Sequence, residues 1–100
     1  MKEPVFGLNE PLFEPGNIRA SQSVIDLDVG LDEYVVRHVT GDWGKVPPSV
    51  RAANDRAVED QQGTIGSAYK TPSGRWLFVI TRSDRSVTTV LVPEDLAEIV

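Results

Sequence analysis

From residue 64 onward, runs of β-branched and aromatic residues alternate with turn signals. Ile65 to Tyr69 is followed by Thr71-Pro72-Ser73-Gly74, then Trp76 to Ile80, a polar link, and Val87 to Val92 before Pro93. This texture predicts three strands joined as antiparallel hairpins. The middle run is apolar at every position, which predicts a central strand covered on both faces. Upstream the spacing becomes helical. Leu31, Tyr34, Val35 and His38 share one face over residues 31–39 while Asp32, Glu33 and Arg37 lie off it, and Gly41 ends the pattern. Acids in the first turn and Arg37 with His38 in the last also suit the helix dipole. Val46-Pro47-Pro48 then breaks the chain, Ser49 offers a cap, and residues 50–61 read as a second helix closed by Gly63. Its apolar stripe of Val50, Ala53, Ala57 and Val58 is thin, and Asn54 projects between Ala57 and Val58, toward the core.

Two segments are less regular. Residues 17–29 fit a strand through Ile25, Leu27 and Val29, and fit a helix through Val24, Leu27 and Leu31, so both patterns stay open. Residues 1–16 carry Pro4, Gly7, Pro11, Pro15 and Gly16, which predicts an extended arm. Val5, Phe6, Leu8, Leu12 and Phe13 are too many apolar groups for a solvated tail, so the arm is expected to lie across its own domain or, second, to reach a partner. Helices first and a meander after define an α+β class. The expectation is two or three helices packed on a small antiparallel sheet of three to four strands, formed by residues 17–100 as one domain behind the arm.

Composition narrows the function. With 100 residues, 40% hydrophobic and 25% charged, the chain suits a single folded domain with a modest core. A net charge of -5 disfavours general nucleic-acid binding. The absence of cysteine removes disulfides, thiolate catalysis and cysteine-based metal sites. Met1-Lys2-Glu3-Pro4 lacks the design of a secretory signal and no apolar run is long enough to span a bilayer, so a cytoplasmic protein without a membrane partner is expected. No cofactor motif is present, and Asp26, Asp28 and Asp32 do not make a calcium loop, because a loop begun at Asp26 would have Arg37 where an acid is required.

A handful of residues could carry chemistry. His38, the single histidine, projects into the apolar stripe at the dipole end of its helix, which balances charge stabilisation against burial and sets an expected pKa near 7. It reads first as a core-edge residue hydrogen-bonded to a backbone carbonyl, with a general base or ligand donor as the alternative. Asp42-Trp43-Gly44 reads as a structural corner or as a recognition aromatic beside a charged tip. Asn54, as a core-facing amide, demands partners and is expected to hold the Gly41 to Gly44 turn. The run from Thr81 to Thr89 places Arg82 and Arg85 among five hydroxyls, and Arg75, Arg82 and Arg85 stand against Asp84 alone between residues 75 and 90. It reads as an exposed hairpin with a weak ion pair, or as an anion site in which Ser86 and Thr88 assist Arg85.

Taken together, Arg37-His38-Val39-Thr40-Gly41-Asp42-Trp43-Gly44, Ala53-Asn54, Gly63 with Ser67-Ala68-Tyr69, Ile80-Thr81, Asp84-Arg85-Ser86-Val87-Thr88-Thr89 and Pro93-Glu94-Asp95 resemble a family of small bacterial proteins borne on plasmids and other mobile elements. Members carry plasmid-related labels, and some a restriction-modification name. The resemblance covers about residues 17–95. This chain departs from the pattern in its Pro-rich arm and at Arg82 and Ser83. The resemblance implies that the His, Asp-Trp, Asn, Arg-Ser and Thr positions belong together, which groups His38, Asp42, Trp43, Asn54, Arg85, Ser86 and Thr88 as a binding site. Three functions compete. The first is a non-enzymatic interaction or regulatory protein that binds a host or plasmid protein. The second is an enzyme similar in outline to barnase-like toxin ribonucleases, with His38 as acid or base, Arg85 on the phosphorane and Thr88 positioning it. The third is a small-molecule anion binder. Three lysines in the whole chain, and eight acids against four bases in residues 1–50, favour the first.

Overall fold

The structure is a computed structural model that describes residues 10–99. The strands are β1 (Asn17–Ala20), β2 (Ile65–Lys70), β3 (Trp76–Thr81) and β4 (Val87–Leu91). The helices are α1 (Gln22–Leu27), α2 (Leu31–Val39), α3 (Pro48–Asp60) and α4 (Pro93–Ile99). The fold is α+β. The sheet order is β1-β4-β3-β2, with both hairpins antiparallel and β1 added parallel to β4 at the far edge.

The two patterns that overlap in residues 17–29 are resolved by division. Asn17–Ala20 becomes strand, and Ser21 caps α1 by accepting a hydrogen bond from the Val24 amide. α2 keeps its expected limits. α3 starts earlier than its pattern suggests, at Pro48 with Pro47 as the cap residue, because proline at the first helical turn needs no amide partner. Ser49 is therefore inside the helix and is not its cap. α4 lies in a segment where no helix was expected.

Alternation along the strands turns Ile65, Ser67, Tyr69, Leu77, Val79, Thr81, Thr88 and Val90 inward, and all are buried. Most of the apolar ones join Val24, Tyr34 and Val92 in the main core, under α1 and α2. A second cluster of Trp43, Ala57 and Ile65, with Phe13, Val46 and Val58 packed against it, fills the angle between α3 and the sheet. The other face of β3 departs from the sequence expectation of a doubly covered strand. Trp76, Phe78 and Ile80 are half-buried there, at an open groove bordered by Val50 of α3 and Pro93 of α4.

Arm residues 10–16 lie on the domain. The Leu12 amide donates to the Val39 carbonyl at 2.7 Å, the Thr88 hydroxyl donates to the Pro15 carbonyl at 2.7 Å, and Phe13 packs over the second cluster. Gly16, at φ 67, passes so close to the backbone of Arg85 and Ser86 that any side chain would collide with it. Val5, Phe6 and Leu8 fall outside the described residues.

Candidate functional site

The inward helical projection of His38 brings it over the junction of β2 and β3. Its partners are two strand hydroxyls and not the backbone carbonyl expected: Nδ1 lies 2.6 Å from Ser67 Oγ and Nε2 lies 2.8 Å from Thr81 Oγ1. Thr81 Oγ1 is in turn 2.6 Å from Thr88 Oγ1, and Thr88 donates to the Pro15 carbonyl. A hydroxyl has one proton to give, so these contacts assign the threonine donors. Thr88 gives its proton to Pro15, hence Thr81 donates to Thr88. Thr81 is then spent as a donor, hence His38 Nε2–H donates to Thr81. Burial keeps the ring neutral, so Nδ1 accepts from Ser67 and the tautomer is Nε2–H.

All four side chains are buried, with His38, Thr81 and Thr88 at 0% exposure. Burial without a charged partner pushes the His38 pKa down to about 4, below the value near 7 expected from its helix position. The dipole contribution loses because desolvation of a fully enclosed imidazolium costs more than a helix end returns. Phe13 closes the group from outside. Its ring meets His38 edge-on at 5.3 Å, stacks on Trp43 at 6.3 Å, and has the Arg85 guanidinium 5.6 Å from its centroid.

Each remaining candidate has an internal employment. Trp43 is 2% exposed and donates through Nε1 to Asp55, so it fills the core and is not a surface recognition aromatic. Asp42 pairs with Arg37 at 2.7 Å and accepts from the Gly44 amide, which holds its carboxyl below the ordinary carboxylate range. The Asp42 carbonyl accepts from the Tyr69 hydroxyl, whose pKa burial raises to about 12. Asn54 does not hold the Gly41 to Gly44 turn. It donates to the Gly66 carbonyl and accepts from the Gly66 amide, so its side chain replaces a neighbouring strand at the edge of β2. Arg85, in a left-handed conformation at φ 61, donates to the carbonyls of Gly63 and Ser83 through one nitrogen and to Ala57 through the other. Its guanidinium thus ties the last turn of α3 and the loop after it to the β3–β4 hairpin, where an anion site would need those donors free. Ser86 is exposed and bonds Asp84 through both its amide and its hydroxyl.

His38, Trp43 and Arg85 therefore converge around Phe13, Thr88 joins His38 through Thr81, and Asn54 grips the residue next to Ser67. Ser86 stays at the surface, and Asp42 faces Arg37. Sequence reasoning missed Ser67 and Phe13 as partners of His38, since nothing in a linear pattern pairs positions 29 and 25 residues apart. Among the described residues no group of three or more His, Asp and Glu side chains could hold a metal ion.

An apolar open feature lies on the opposite face of the sheet. A groove of about 440 Å³ has Gly66, Ala68, Phe78, Ile80 and Trp76 as its floor, with Val46, Pro47 and Val50 on one side and Pro93 on the other. Gly66 and Ala68 make the depression because they offer little side chain opposite Ile80 and Phe78 in register. The signal for it was in the sequence, as the strand with apolar residues on both faces. Comparison with protein-family models, curated proteins and solved structures finds no match for this chain.

Proposed function

We propose that the protein is a small, cytoplasmic, non-enzymatic interaction protein that docks another protein on the outer face of its sheet. The observation that carries this reading is the apolar groove over Trp76, Phe78 and Ile80, since a strand rich in large apolar groups is ordinarily covered on both sides. The occupied state of the polar residues supports it from the other direction. A general acid or base must reach a substrate, whereas His38 has both ring nitrogens bonded inside the protein and no exposed surface. An anion or phosphorane needs donors directed outward, whereas Arg85 directs its donors at backbone carbonyls. The resemblance to proteins of plasmids and mobile elements supplies the setting, in which the partner is a protein of the host or of the element itself.

Site-specific photo-crosslinking tests the reading. A photoreactive phenylalanine analogue in place of Ile80 should yield a discrete adduct with one partner in cells. The same group in place of Val36, an exposed position on α2, should not. Gly66→Val should remove the adduct by filling the groove. Equal labelling from both positions, or an adduct indifferent to Gly66→Val, overturns the assignment. RNA cleavage that His38→Ala abolishes in a still-folded protein would restore the ribonuclease.

A further inference from the structure

We infer that the occupant of the outer groove is an amphipathic helix whose apolar ridge is flanked by acidic side chains, a partner class that rests on the docking role proposed for this groove. Three observations converge on it. The first is charge. Among the described residues Lys45 is the charged side chain that lines the groove, and Lys70 and Arg75 flank Trp76 at its end, Arg75 beside the acid Glu94. A chain of net charge -5 has thus placed three cations along the border of this apolar face. Lys70 is held 5.4 Å from the Trp76 ring and Arg75 lies 3.9 Å from Glu94 at the surface, so both cations stay accessible. Acidic flanks on the partner complement these cations and speed encounter.

The second observation concerns backbone pairing. A partner strand cannot add beside β2, because that edge is already closed. Asn54 takes both hydrogen-bonding groups of Gly66, and the next outward residue, Ala68, pairs its amide with the Trp43 carbonyl and its carbonyl with the Lys45 amide. The occupant must therefore bring its own satisfied backbone, which a helix does.

Layer architecture is the third. Helices α1 and α2 cover the inner face of the sheet, and the outer face of β3 has the apolar character of a surface meant for a second helical layer. A second copy of this chain fits less well, since pairing two such faces would bring two sets of border cations together at one apolar patch.

The test uses the full chain and a peptide about 18 residues long, with Leu at helical i, i+3, i+4, i+7 spacing, Glu flanking that ridge and Gln opposite it. A second peptide has Lys for each Glu, and a third scrambles the acidic one. Tryptophan emission reports the site, because Trp43 is buried and Trp76 lines the groove. The acidic peptide should shift the emission saturably and bind at least about tenfold tighter than either of the other two. Lys45→Glu combined with Lys70→Glu should reverse the charge preference. Gly66→Val should weaken binding at least about tenfold while leaving the unfolding midpoint in place, because a Cβ at Gly66 meets nothing within 4 Å.

Equal binding of the acidic and basic peptides overturns the acidic partner and leaves the docking groove standing. Equal binding of the scrambled peptide overturns the helix. No emission shift with any peptide, or binding unchanged by Gly66→Val, overturns the groove as well. A concentration-dependent dimer that Gly66→Val dissolves would give the face to a second copy of this chain.

Discussion

The imidazole of His38 sits in the last turn of α2, where the carbonyl end of the helix favours a positive charge, yet burial keeps it neutral and pushes its pKa down from 6.5 to about 4. Between those values the unfolded chain takes up a proton that the folded chain refuses. The contribution to stability is therefore complete above pH 6.5, and it is lost as the pH falls through about 4, with a size on the order of 3 kcal/mol. Asp42, Asp84 and Asp95 are held below their ordinary 3.8 by hydrogen bonds, so their stabilisation is present above that value and is lost at still lower pH. Denaturant unfolding across this window should show the native protein weakening as the pH drops, whereas His38→Gln, less stable at pH 7, should lose little more. Arg85 gives a second prediction at this scale. Arg85→Lys keeps the charge but cannot reach the Gly63 and Ala57 carbonyls together, and should lower stability by about 1–3 kcal/mol in the same assay. Added inorganic phosphate should leave the melting temperature of the native protein unchanged, because those donors are already engaged.

At the scale of elements, the free edge of β2 is the point of vulnerability. An unpaired edge strand invites association with other chains, and here a side chain on α3 and the loop over residues 43–45 close it. Gly44 must be glycine for this to work, since a Cβ there would lie 2.1 Å from the Ala68 carbonyl oxygen at φ 74. Asn54→Leu keeps the volume and removes the amide, leaving both hydrogen-bonding groups of Gly66 unpaired. It should cost about 1–3 kcal/mol by thermal unfolding and produce association visible by light scattering. The inward direction of Asn54 was legible from its helical position between Ala57 and Val58. Its partner was not, because a helix projection gives an angle and says nothing of which strand stands opposite.

Across the whole molecule, the arm ties the end of α2 and the interior strand β4 to the polar centre. Residues 12–16 hydrogen-bond the end of α2 and the inner face of β4, and Phe13 caps His38, Trp43 and Arg85 together. Phe13→Ala should destabilise the fold by about 2 kcal/mol, since the ring is partly exposed and its loss leaves an incomplete cavity. The same change admits water to His38. Its pKa should therefore rise from about 4 toward 6.5, measured by NMR titration of the imidazole. The molecule is polarised as a result, with a saturated polar centre on one side of the sheet and an apolar groove on the other.

The linear pattern was sufficient for the α+β class, for the limits of α2 and for the three strands of the meander, because these depend on side-chain period and turn chemistry within a few residues. It also showed that His38 and Asn54 face inward and that β3 is apolar on both faces. The division of residues 17–29 depended on tertiary structure, since Asn17–Ala20 becomes a strand by pairing with β4, about 70 positions away in the chain. The same holds for the partners of His38, Asn54 and Arg85, and for which face of β3 receives helices. These outcomes depend on strand order and register, which bring distant polar groups within hydrogen-bond reach and leave an apolar groove open on one face.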